Sequence, residues 1–136
     1  MKINEQLLDD HLAAIEAARG WSPRVVSKLE TELRTADDRD VFRINPLLFA
    51  EQKGVDPDES IALFLHGALE GLFDMEWHLV CPLCSQYLAS FSSLRHVHSD
   101  YYCATCHHHG DASLDDYIEV TFTVKQQVRH LKYHDP

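Results

Sequence analysis

Cys81-Pro82-Leu83-Cys84, then eighteen residues, then Cys103-Ala104-Thr105-Cys106: these two pairs hold all four cysteines of the chain and decide how its C-terminal half is read. The spacing is that of a tetrathiolate zinc site. Each Cys-x-x-Cys turn presents two sulfurs toward one point, and the intervening stretch is long enough for a hairpin that brings the second pair opposite the first. Four thiolates at about 2.3 Å then close a tetrahedron around one Zn2+ ion. A metal held by four protein ligands keeps no open position for water or substrate, so the expected role of Cys81, Cys84, Cys103 and Cys106 is structural. The competing chemistry is reversible disulfide formation. Two pairs at ribbon spacing, with no βαβ pattern around either, point to zinc instead. Committing every cysteine to one metal site fits a reducing, cytoplasmic compartment.

Outward from the cysteines, Trp77 to Val80 reads as a strand running into the first pair and Tyr87 to Phe91 as the next strand. The clearest strand is Tyr117 to Val124, where Ile118, Val120, Phe122 and Val124 alternate with Tyr117, Glu119, Thr121 and Thr123. That alternation predicts one buried and one wet face, completing a small antiparallel sheet. Of the ten histidines, His96, His98 and the run His107-His108-His109 fall within the same region. Consecutive histidines point in different directions and this run sits in a polar turn, so it reads as solvated; four thiolates leave no need for an imidazole ligand.

Upstream the periodicity is helical. Leu8, Leu12 and Ile15 mark an amphipathic helix over Leu7 to Arg19, stopped by Gly20. Ser22-Pro23 predicts a capped start for a second helix with Val26, Leu29 and Leu33 as its buried stripe, and Asp37 to Asp40 reads as a linker. Asn45-Pro46 repeats the cap-then-proline device for a brief helix to Gln52, ending near Gly54. Asp56-Pro57-Asp58-Glu59 combines an N-cap, a first-turn proline and a third-position glutamate placed to reach back. The helix it opens carries Ile61, Phe64, Leu65, Ala68, Leu69 and Leu72, a wide face expected to form the centre of the core. His66 on this helix reads as a boundary residue hydrogen-bonded to the backbone. The segment from Lys125 to Pro136 has weak periodicity, and a chain stopping at His134-Asp135-Pro136 without a cap is expected to continue in the natural protein.

The chain of 136 residues has 12 Lys plus Arg against 22 Asp plus Glu, a formal charge of -10. Residues 37 to 76 alone hold ten acids and three bases, Arg39, Arg43 and Lys53. Such a surface repels the phosphate backbone, so nucleic acid is not the expected partner even though the helices between Ser22 and Leu72, followed by a strand, resemble a winged-helix arrangement. The apolar runs are short and broken by charge, and Met1 to Asp10 lacks a basic region followed by a hydrophobic stretch, so no membrane or secretory segment is expected. No Gly-rich phosphate loop, Gly-x-Ser-x-Gly or His-Glu-x-x-His occurs, and the carboxylates fall at helix starts and on polar faces. The expectation is a non-enzymatic protein.

One ordered set of residues goes further: Asn45-Pro46, Phe64-Leu65-His66, Gly71-Leu72-Phe73, Trp77, the two cysteine pairs, then Val120-Thr121-Phe122. Over roughly residues 40 to 130 it resembles a bacterial domain family of unknown function, found N-terminal to the catalytic domain of class III adenylate or guanylate cyclases. The resemblance implies an accessory or regulatory role beside a signalling enzyme. This chain has no segment that looks like the cyclase domain, and only the four cysteine positions transfer.

The fold class expected is therefore α+β: an N-terminal helical bundle of winged-helix-like character over residues 1–74, a four-cysteine zinc ribbon over 75–126 and a tail over 127–136, or all three as one composite domain. The expected function is a cytoplasmic zinc-binding module that contacts a protein partner or an adjacent domain in cyclic-nucleotide signalling. Two alternatives stand beside it: a DNA-binding transcription regulator, and a redox switch in which cysteine oxidation ejects the zinc.

Overall fold

The computed structural model describes residues 2–81, 86–91, 100–103, 108–111 and 118–135. Among the described residues the fold is α+β, with four α-helices and small antiparallel β-sheets. The chain divides into two compact units: Met1–Asp74 together with Phe122–Pro136, and Met75–Thr121.

In the first unit, β1 (Lys2–Ile3) leads into α1 (Glu5–Ala18), capped by the Asn4 side chain, which accepts the Leu7 N–H at 3.1 Å. Leu8, Leu12 and Ile15 are buried, as their spacing predicts. Helix α2 (Val25–Thr35) buries Val26, Leu29 and Leu33 but does not start at Ser22-Pro23. Arg24 precedes it with φ 70° and no side-chain cap, while the Ser22 N–H donates to the Glu59 carboxylate at 2.7 Å. A tertiary acceptor thirty-seven residues away thus holds the segment that local capping was expected to organise.

The next two helices start where the sequence places them. For α3 (Pro46–Lys53), Asn45 Oδ1 accepts from the N–H groups of Leu47 and Leu48, and Gly54 ends the helix. For α4 (Pro57–Glu70), Asp56 accepts from the Glu59 N–H at 3.1 Å, and Gly71, at φ 90°, returns its N–H to Ala68. Glu59 does not reach back to complete a capping box; its carboxylate serves Ser22.

The buried face of α4 corrects the reading of its periodicity. Phe64 and Leu72 are fully buried, yet Ile61, Leu65 and Leu69 are 39%, 42% and 83% exposed. The packed face runs instead through Ser60, Leu63, Phe64 and Gly67. A Cβ added at Gly67 would lie 2.6 Å from two ring atoms of Phe73, so the missing side chain is what lets that ring lie against the helix. Ser60 is buried because its hydroxyl donates to the Pro46 carbonyl at 2.7 Å. Small residues, invisible to a count of large apolar ones, turn the helix. Phe64 then sits among Phe49, Phe73 and Phe122, with ring centroids 5.2, 5.1 and 5.4 Å away.

The C-terminal segment belongs to this unit. After β6 (Ile118–Val124), β7 (Arg129–His130) pairs antiparallel with β1, and Val128 and Leu131 are buried. Arg129, 2% exposed, donates to the carbonyls of Leu33 and Ala36 at 3.0 and 2.6 Å and to Asp38 Oδ1 at 3.2 Å. The acidic stretch read as a linker is a short 3-10 turn, Asp38–Val41, and Asp38 also accepts the Lys132 N–H at 2.9 Å. That N–H first, and Arg129 second, hold the Asp38 carboxyl below its ordinary range.

The chain enters the second unit within β2 (Phe73–Val80), whose central and C-terminal residues pair antiparallel with β3 (Tyr87–Phe91), Trp77 opposite Phe91 and Val80 opposite Tyr87. The three-stranded sheet has the order β3-β2-β6, and β4 (Asp100–Cys103) pairs antiparallel with β5 (His108–Asp111). The expected one-sided alternation of β6 fails at its end: Thr121, Phe122, Thr123 and Val124 are all buried. Both threonines have partners that permit this, Thr121 within hydrogen-bond distance of His78 and Thr123 accepting the Arg43 N–H at 2.9 Å. Among the described residues no helix is long and apolar enough to cross a membrane.

Candidate metal centre at two hairpin turns

Each cysteine pair begins where a strand ends. Cys81 follows the last residue of β2, is 1% exposed, and its N–H donates to the Gln86 carbonyl at 2.9 Å, immediately before β3. That bond closes the connection whose sequence is Pro82-Leu83-Cys84-Ser85. Cys103 is the last residue of β4 and stands opposite His108, the first of β5, so Ala104-Thr105-Cys106-His107 joins the two strands. Two antiparallel hairpins therefore begin their turns on the first cysteine of a Cys-x-x-Cys pair. Strands β3 and β4, one from each hairpin, are neighbours.

Cys84 and Cys106 lie outside the described residues, as do His96, His98 and His107. Among the described residues no group of three or more cysteine, histidine or carboxylate side chains is gathered as a metal would need. The histidine run does not sit wholly in a turn as expected: His108 and His109 fall on β5, where pairing opposite Cys103 and Tyr102 makes them part of a strand. His66, on α4, stands edge-on to Trp21 at 5.6 Å between ring centroids, and Trp21 donates its indole N–H to the Ile15 carbonyl at 2.8 Å.

The donor set fits zinc on chemical grounds. Thiolates suit Zn2+, and the Cys81 to Gln86 backbone hydrogen bond brings together the two ends of the segment that contains the first pair. Burial of Cys81 disfavours its use as a reactive thiol, which needs access to its oxidant.

Close behind this turn lies a residue that periodicity did not single out. His78, in β2, is fully buried; its Nδ1 lies 2.7 Å from Ser90 Oγ and its Nε2 2.7 Å from Thr121 Oγ1. Hydroxyls can donate or accept, so they satisfy both nitrogens of a neutral imidazole in either tautomer. The Tyr87 ring stacks on His78 at 4.2 Å and its hydroxyl donates to Glu119. The available signal was a histidine between Trp77 and Leu79 in a strand, together with a threonine in the partner strand; the alternation of β6 assigned that threonine to the wet face.

Four described α-helices in one unit, and in the other antiparallel strands that end at the first cysteine of each pair, make this an α+β protein with a candidate thiolate centre. The chain belongs to a family of unknown function (DUF5939), whose model matches residues 8–136. Comparison with curated proteins and with solved structures gives no match.

Proposed function

We propose that this protein is a non-enzymatic zinc-binding accessory module, a zinc ribbon attached to a helical unit, which contacts a protein partner or an adjacent domain in bacterial cyclic-nucleotide signalling within the cytoplasm. Cys81, Cys84, Cys103 and Cys106 would hold one structural Zn2+. The observation that supports the reading is that the first cysteine of each pair stands at a strand end, with the Cys81 N–H bonded to the Gln86 carbonyl and Cys103 opposite His108. A ribbon needs two such pairs, because each contributes two sulfurs from one short connection. The tie to cyclases rests on the ordered residue set from Asn45 to Phe122. Charge weighs against DNA as the target, since α4, the helix that would read it, contains no lysine or arginine.

Elemental analysis of the purified chain with thiol titration before and after chelation tests the metal. One zinc per chain, with four thiols reactive only after chelation and unfolding, is the expected result. Folded, zinc-free protein with accessible thiols would overturn it and promote the redox reading. Association with a cyclase domain is tested by coexpression and by the effect of the module on cyclase turnover; neither binding nor an effect would refute that part alone.

A further inference from the structure

Helix α4 presents an apolar stripe to solvent. Ile61, Leu65 and Leu69 recur every four residues and so follow one side of the helix for about 12 Å, with exposures of 39%, 42% and 83%. At the start of α3, Leu47 and Leu48 are 54% and 50% exposed. The Ser60 to Pro46 hydrogen bond holds that start against the first turn of α4. Single exposed leucines are ordinary, but a repeating stripe on a stable helix is the kind of surface that marks an interaction site.

The charges around the stripe select its occupant. Exposed Asp58 and Glu70 lie on α4, which has neither lysine nor arginine, and exposed Glu51 and Asp56 precede it. From Gly54 to Asp74 the sequence holds no lysine or arginine. A second copy of the chain would set acid against acid. A partner that lays leucines into the stripe while presenting lysines or arginines around them satisfies both features, because apolar anchors supply affinity and complementary rim charges supply orientation and rate.

We infer that the exposed face of α4 is the docking surface for a basic amphipathic helix of a partner protein. This deepens the accessory-module reading and rests on it for the existence of a partner, while being independent of the metal.

The test uses the full chain and a fluorescent peptide of about 18 residues with leucines at i, i+3, i+4 and i+7 and lysines elsewhere. Its twin carries glutamate for lysine. Saturable one-to-one binding of the lysine peptide, absent for the twin, is expected by fluorescence anisotropy. Leu65→Ser with Leu69→Ser should weaken it about tenfold or more, and Tyr133→Ser, at an exposed aromatic outside α3 and α4, should not. Leu69→Lys alone, at the most exposed position, moves binding in the same direction without touching the core. Equal binding to the serine variants would reduce the effect to general acidity and overturn the inference, as would no saturable binding. Stripe-dependent self-association would reassign the surface to a second copy, and stripe-dependent binding to phosphatidylcholine vesicles would reassign it to lipid. Zinc content of the same samples separates the two proposals: zinc-free chain that still binds the peptide keeps the docking face and loses the ribbon.

Discussion

The two units differ in what they bury. The first buries rings and aliphatic stripes: Phe49, Phe64, Phe73 and Phe122 beside Leu8, Ile15, Leu29 and Leu33, with Arg129 fastening the C-terminal segment to the end of α2. The described part of the second buries His78, Leu79, Cys81 and Thr121, and its best-defined interior contacts are hydrogen bonds to a histidine. Apolar burial contributes about 25 cal/mol per Å² and needs no partner geometry, whereas a net hydrogen bond contributes only about 1 kcal/mol. A unit as small as 75–121 is marginal without a staple, and on the proposed reading the cysteine pairs are where a metal would supply one. The comparison teaches that the helical unit should stand alone energetically and the hairpin unit should not.

The strongest way to break that contrast is to remove the proposed metal. Chelation, or Cys81→Ser, should forfeit about 10 kcal/mol or more of coupled binding and folding free energy. Hydrogen exchange should then lose protection across 75–121 while α1, α2 and α4 keep theirs. Equal loss in both units would abolish the distinction, and no loss in either would remove zinc from it. Phe64→Ala attacks the other side, creating a cavity among three rings at a cost of about 4 kcal/mol. Urea unfolding followed by a helical signal should report it, with zinc stoichiometry unchanged in the folded protein.

A smaller effect sharpens the polar half. His78→Ala leaves the hydroxyls of Ser90 and Thr121 without the imidazole and should cost about 2 kcal/mol, read as faster exchange in β2 and β3. His78→Phe, which restores ring volume without the nitrogens, should recover little of it; full recovery would mean that packing alone holds this strand pair. The smallest effect concerns acid. The Asp38 carboxyl is held low by the Lys132 N–H and then by Arg129, so its contribution is complete above the ordinary carboxylate value of about 4 and disappears as pH falls through its lowered folded value. Asp38→Asn should flatten the acid limb of a stability-against-pH curve while leaving its neutral-to-alkaline shape alone. An unchanged acid limb would show that the carboxyl titrates alike in folded and unfolded chains.

The legible parts of the fold were those set by short-range chemistry. Asn45-Pro46 and Asp56-Pro57 specify helix starts because the cap and the first-turn proline act within a few residues, and both function as read. The stripes of α1 and α2 and the bounds of β3 follow equally from local spacing. Ser22-Pro23 misled because Glu59, remote in sequence, took the amide. The acidic stretch at Asp38 looked like a linker because its partners, Arg129 and Lys132, lie more than ninety residues away. At the candidate site, the strand running into Cys81 was readable and the buried imidazole of His78 was not, since its satisfaction depends on hydroxyls from two other strands.

By itself the sequence determined the α+β class, the caps at Asn45 and Asp56, and the strand that runs into the first cysteine pair, because propensity, capping and spacing operate within a turn or a hairpin. Only the tertiary structure decided which side of α4 is buried. A helix with apolar residues on more than half its circumference has no unique inner face until something packs against it, and here Phe73 against Gly67 and Ser60 against Pro46 make the choice. That choice leaves Ile61, Leu65 and Leu69 facing water.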